Sequence, residues 1–319
     1  MINIVHITEN PIAGAPIALS NALNQYGNGR INSRHIASSD RNESRVFKSD
    51  VLIHEGNREL ISKLIHVADI IHFHNFYQHQ ELFRRFPELW PVVLRKKRVW
   101  QVHSQRETAW VDLETPYSDK TMKRLVIAQY HPRQWPECEV VPNIVPIDDE
   151  DYKPLGIVNT PPRVVYTPSR IGLPGWDNKG YEETYPTLVK LVKEGKITAN
   201  IVYNKTHTEC MQIRQKADIS IDEIVTGSYH LCSLESLSQG LATIAGIDAT
   251  QYKTLRDFTG ADYIPWVMAK PSNIEETLRY LISDSAELKY IRERSRLWME
   301  TYWHPKQHVE RFLRIYENL

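Results

Sequence analysis

Strand-length apolar runs alternate with helix-length segments from one end of this chain to the other, and that alternation restricts it to α/β folds built on parallel sheets. Ile2–Ile7 opens as a buried strand, the turn NPIAGAP follows, and residues 17–23 carry helical spacing. Residues 68–72 (ADIIH), 98–103 (RVWQVH), 125–128 and 139–141 read as further strands of one sheet. The pattern then breaks: residues 142–162 hold five prolines and the acidic run Asp148, Asp149, Glu150 and Asp151 without periodicity, as a linker does. Beyond it the alternation restarts, with strands predicted at 163–166, 199–203, 217–221 and 241–245 and a helix at 181–194. Three helices, 273–282, 286–302 and 305–316, close the chain.

A length of 319 residues suits two domains. The expected division is residues 1–145, a linker at 146–162, a second domain at 163–303 and a terminal helix at 304–319. Two such domains would form a cleft between the carboxyl ends of their sheets, where open α/β sheets bind ligands. Lys plus Arg and Asp plus Glu both number 39, so the formal charge cancels and a globally basic nucleic-acid binder is excluded. Cys138, Cys210 and Cys232 are odd in number and far apart, which indicates neither a disulfide framework nor a cysteine zinc site. The start MINIVHITENPIAG has neither the basic opening nor the long apolar run of a secretory signal, and no stretch would span a bilayer. The expectation is a soluble cytoplasmic protein, with peripheral attachment at a membrane as an alternative.

Four loop segments carry the candidate chemistry. In SRIGLPGWDNKGYEE, Arg170 lies just past a strand and Lys179-Gly180 opens the next helix. Two cations so placed, both expected to be exposed, would clamp a diphosphate with help from the helix N-terminus; the alternative is a solvated loop. In the segment from Lys216 to Gly246, a strand leads through a glycine turn to a helix holding Glu235 and on to another strand. In His72-Phe73-His74-Asn75, residues two apart share one face of a strand, so His72 and His74 would bind zinc with His103 as third ligand, or else are core histidines. No HExxH or well-placed carboxylate accompanies them, and no metal is expected. His103-Ser104-Gln105-Arg106 follows a strand of its own.

The run KADISIDEIVTGSYHLCSLESLSQGLATIAG resembles the retaining glycosyltransferases of family 4, in particular the subset reading ADIxxDxxxxGxYGxxxxEAMAxGxPV. Ala217, Asp218, Asp222, Gly227, Tyr229, Glu235 and Gly240 match that pattern. Weaker likenesses extend over nearly the whole chain. Gly14 sits where the family has a glycine-rich loop, DIIHFHNF resembles its DVVHxH segment, and QVHS its TVHD segment. VPNIVP resembles IPNGVD, Arg170 and Lys179 resemble GRLxxxKG, and the last two helices resemble the family's closing pair.

The resemblance implies a GT-B fold of two Rossmann-like α/β domains, with the final helix crossing back to the N-terminal domain. It implies a nucleotide-sugar donor, UDP-sugar favoured, bound at Gly14, Arg170, Lys179, Gly227, Ser228, Tyr229 and Glu235, with no metal cofactor. Arg170 and Lys179 would stabilise the leaving diphosphate, Glu235 would accept from the ribose hydroxyls, and His103 would contact the sugar or acceptor. A structural histidine and a surface glutamate are the respective alternatives. Many members carry another glutamate eight positions before the ribose glutamate; here Gly227 stands there. A non-catalytic nucleotide-sugar or glycan-binding protein is therefore a second reading, and a metal hydrolase on the histidines a third. The acceptor is open among a glycan, a lipid-linked sugar, a protein and a modified nucleobase. Finally, Arg84, Arg85, Arg95, Lys96, Lys97 and Arg98 lie among Phe83, Phe86, Trp90 and Trp100, as an anionic-surface contact or as a solvated face beside a buried strand.

Overall fold

A computed structural model describes residues 1–42, 45–77, 80–106, 119–168, 171 and 179–319. Its contacts gather into two compact units, Met1–Ile144 with Pro305–Leu319, and Val145–His304. Among the described residues no helix is long and apolar enough to cross a membrane.

In the first unit the strands are β1 (Ile2–Thr8), β2 (Ile31–Ala37), β3 (Arg41–Asn42), β4 (Arg45–Val46), β5 (Val51–Leu52), β6 (Ile70–His74), β7 (Lys97–Val102), β8 (Lys123–Ile127) and β9 (Glu139–Val141). Seven of them make one sheet in the order β5-β2-β1-β6-β7-β8-β9, parallel throughout. Alternation along the strands sorts two apolar layers. Val5, Ile7, Ile71, Phe73 and Trp100 face one side. Ile4, Ile70 and Val99 face the other, packed with α1 (Ala15–Tyr26) and with the terminal helix Pro305–Glu317 through Phe312, Leu313 and Tyr316.

β2 is not among the expected strands, its sequence INSRHIA being polar in the middle. Ser33 at its centre is held on every polar group: its Oγ lies 2.8 Å from Ser20 Oγ, and the Asn24 side chain bonds both its N–H and its carbonyl. The basic segment also changes character. Arg98 is buried and donates to Asp119 and Thr121, both at 2.8 Å, so it is no part of an outer cationic face. Arg84 and Arg85 pair with Glu81, and Lys96 donates to the His66 carbonyl.

The second unit has a five-stranded parallel sheet in the order β11-β10-β12-β13-β14, made of β10 (Arg163–Tyr166), β11 (Thr198–Ile201), β12 (Ile219–Ile221), β13 (Ala242–Ala245) and β14 (Val267–Met268). Leu188, Ile219, Ile221, Ile244, Leu278 and Leu281 form its main core. Residues 146–162 run along this unit, held through their carbonyls: Gln215 donates to Glu150 and Lys153, Gln239 to Asp151, and Arg292 to Ile157.

Candidate functional site

The densest polar construction of the second unit lies where β12 ends. The chain passes Asp222 and Glu223, turns through Gly227, and enters the helix Leu231–Ser238. Both carboxylates are turned inward to hold the turn. Glu223 accepts the backbone N–H groups of Val225, Thr226 and Ser228, the last at 2.9 Å. Burial still pushes its carboxyl above the usual range. Gly227 has φ +81°, and a Cβ there would come within 2.5 Å of Asp248 Oδ2, so only glycine fits this turn.

Asp222 is the hub. Its Oδ1 accepts from Lys179 Nζ at 2.6 Å and from the Cys232 thiol at 2.8 Å, and its Oδ2 accepts the His230 backbone N–H at 2.7 Å. Lys179 was expected to be exposed but is 5% exposed, against 1% for Asp222. The reason is local: Gly180, at φ +64°, opens the helix Tyr181–Lys193 and turns the preceding lysine inward to the end of β12. Burial opposes charge on both groups, and the mutual pairing outweighs it. Lys179 is held above its usual range and Asp222 well below.

One helical turn on, Glu235 is 4% exposed. It is no surface glutamate: Oε2 accepts from Arg214 at 2.6 Å and Oε1 lies 2.8 Å from His207 Nε2. Burial pushes its carboxyl up, but His207 and Arg214 together pull it far down, so it is ionised. Ser228 and Tyr229 are buried, the latter with its ring 5.0 Å from Trp266. The hydroxyls of Ser228 and Ser233, beside the start of the helix Leu231–Ser238, have no hydrogen-bond partner among the described residues. Arg170 lies outside the described residues.

In the first unit, Gly14 caps α1 at φ +81° and faces the Phe47 ring, 2.6 Å from where a Cβ would stand. His103 follows β7; its backbone N–H donates to Asn75 Oδ1, and its Nε2 lies 2.9 Å from His74 Nδ1. It belongs to a larger set. His35, His6 and His72 stand in register on three neighbouring strands, and His74 shares a face with His72. His6 Nδ1 lies 3.0 Å from His74 Nε2, and His72 Nδ1 lies 2.8 Å from the Tyr316 hydroxyl. All five imidazoles are buried. Burial lowers His6 and His103 to about 3 and His35 to about 4, and takes His72 and His74 well below the usual histidine range.

Sequence reasoning thus found Lys179, Glu235 and part of the histidine set but missed their partners. Asp222 stood in the matched motif with no role attached. Arg214, His207 and His6 gave no signal, because their closeness depends on strand register and helix placement that one sequence does not display.

No protein-family model and no curated protein matches the chain. Solved structures do. It is similar to an alpha-glucosyltransferase in complex with UDP and a 13-mer DNA containing a central A:G mismatch, at TM-score 0.68 and 12% identity over 99% of each chain. It is similar to a glycosyltransferase from Rickettsia africae ESF-5, at TM-score 0.63 and 13% identity over 99% of this chain and 98% of that one. Anabaena Alr3699/HepE in complex with UDP-glucose gives TM-score 0.62 and 10% identity over 100% of both chains. With two parallel α/β sheets and a likeness running end to end, the chain has the GT-B fold of two Rossmann-like domains.

Proposed function

We propose that the chain is a glycosyltransferase that moves a sugar from a UDP-sugar to an acceptor hydroxyl, with retention and without a catalytic metal. The observation that carries this is the end-to-end likeness to GT-B structures that include complexes with UDP and UDP-glucose. Lys179 and Arg170 would meet the diphosphate, together with the N-terminus of the helix Leu231–Ser238 and the unpartnered hydroxyls of Ser228 and Ser233. Glu235, fixed as a carboxylate by Arg214 and His207, would accept from the ribose. His103 would contact the sugar or acceptor. No residue stands out as a covalent nucleophile, so the acceptor would attack from the face the leaving group departs. We place the reaction in the cytoplasm.

A second reading, a nucleotide-sugar-binding protein without turnover, has one observation behind it. At the position of the missing glutamate a side chain is excluded by Asp248. Radiolabelled UDP-sugars, offered without added magnesium or manganese to glycan, lipid-linked, protein and modified-nucleobase acceptors, separate the two. Label transfer establishes the enzyme; binding without transfer establishes the second reading. A requirement for magnesium or manganese would remove metal independence. The DNA in one neighbour's complex is the reason to include nucleobases. Glu235→Ala should weaken UDP but not inorganic pyrophosphate; equal losses would detach Glu235 from the ribose.

A further inference from the structure

His6, His72 and His74 of the first sheet form a constellation to which the proposed sugar transfer assigns no role. One ring nitrogen from each of His6, His72 and His74 lies within 4.8 Å of the other two, and all three residues are fully buried. Their rings lean together, with His72 and His74 centroids 4.4 Å apart and His6 and His72 centroids 4.8 Å apart. Hydrogen bonding accounts for only part of the arrangement. A neutral imidazole has one N–H and one lone pair, and each needs a partner when buried. His6 Nε2 has none among the described residues, and beside the His72 ring stands the Gln101 side chain.

We propose that His6, His72 and His74 bind one zinc-class divalent transition metal ion. Three neutral imidazoles are a donor set that selects zinc, cobalt, nickel or copper over magnesium and calcium, which take oxygen. The 3.0 Å separation of His6 Nδ1 and His74 Nε2 fits two ligands of one ion, since zinc–nitrogen bonds are about 2.0–2.1 Å long, and the three nitrogens, within 4.8 Å of one another, would draw in to the roughly 4.2 Å that one ion spans. Outer partners are already in place. His72 Nδ1 meets the Tyr316 hydroxyl and His74 Nδ1 meets His103 Nε2, so both rings are steered to offer Nε2 inward. Each ring gives a lone pair and keeps its single proton on the other nitrogen, so binding forms three metal–nitrogen bonds with no net proton released. A fourth position is left for water or a small anion. Burial helps by keeping the rings uncharged, because only neutral imidazole is a ligand.

The test is a cobalt titration of the full chain after chelator treatment. Wild type should take up about one equivalent of Co²⁺ with the visible d–d bands of a low-coordinate nitrogen site, and Zn²⁺ should bleach them. His72→Gln should weaken binding by at least about 100-fold and Tyr316→Phe by about 10-fold. The exposed His66→Ala should bind as wild type does. If His72→Gln fails to fold, the wild-type spectrum and Tyr316→Phe decide. No d–d bands at equimolar Co²⁺, unchanged binding in a folded His72→Gln, or equal losses in Tyr316→Phe and His66→Ala would overturn the proposal. Sugar transfer is not read in this experiment, so its outcome is independent of the proposed activity.

Discussion

Apart from the Arg98–Asp119 pair of the first, the two units bury polar side chains in opposite ways. The first sheet carries five histidines that burial keeps neutral: His6, His72, His74 and His103 lie ring to ring, while His35 meets Thr8 and has Asp50 and Asp40 nearby. The second carries full charges in pairs: Lys179 with Asp222, Arg214 with Glu235, and Arg292 with Asp218, all at 2.6 Å. A neutral cluster tolerates loss of a member but fails when protons are forced on it. A buried ion pair tolerates acid until its carboxylate is protonated but fails when either member is removed. Chemical stress and mutation should therefore find different halves of the molecule weak.

Acid should have the largest effect, and on the first unit. Its histidines have folded values depressed below 6.5, so the unfolded chain takes up protons first and stability falls as pH drops through 6.5 toward 3. The loss is roughly 1.4 kcal/mol per pH unit for each histidine. Asp222 and Glu235 are depressed below 3.8 and 4.5, so their contribution persists until pH falls beneath those values. In chelator-treated protein between pH 6.5 and 4.5, amide exchange should accelerate in β6 and β7 while β12 and β13 stay protected; equal acceleration in both sheets would erase the distinction.

Mutation should reverse the order. Asp222→Ala strands Lys179 in a buried site and should destabilise the second unit by about 3–5 kcal/mol in denaturant unfolding. A cost within experimental error would mean that the pair is not closed in solution. Smaller again, Lys179→Ala should cost about 1.5–3 kcal/mol of UDP affinity by calorimetry, as loss of a charge-assisted contact. Unchanged affinity would leave Lys179 a purely internal counter-ion. At the bottom, Arg84→Ala, which removes an exposed pair with Glu81, should shift stability by less than about 0.5 kcal/mol; a larger loss would show that the outer cations support the first unit.

Much of the architecture could be read from apolar patterning. The strands expected at 139–141 and 163–166 are those found, and the helix expected at 305–316 ends one residue later. β2 escaped because serine and histidine stand among its buried residues, beside Ile31, Ile36 and Ala37, and the partners of those two are Ser20, Asn24 and Thr8. The site was legible only as single residues. A lysine at a helix start reads as exposed, and nothing nearby in sequence announces that its counter-ion lies 43 positions onward. The same holds for Glu235, whose Arg214 sits on a separate helix. Patterning reports the face a residue takes, whereas pairing depends on which elements become neighbours.

The turn at Gly227 bears on how this protein could change. A glutamate introduced there would collide with Asp248, and φ +81° disfavours any side chain. Removing Asp248 first would take away the side chain that accepts the Gln251 N–H and caps the helix Ala249–Thr259, at a cost of about 1 kcal/mol. Each single step is thus downhill in stability, and the double change removes the collision while the left-handed backbone still disfavours a side chain. A lineage with this turn faces a valley before it can acquire the second glutamate, so the two positions should be altered together in any attempt to install it.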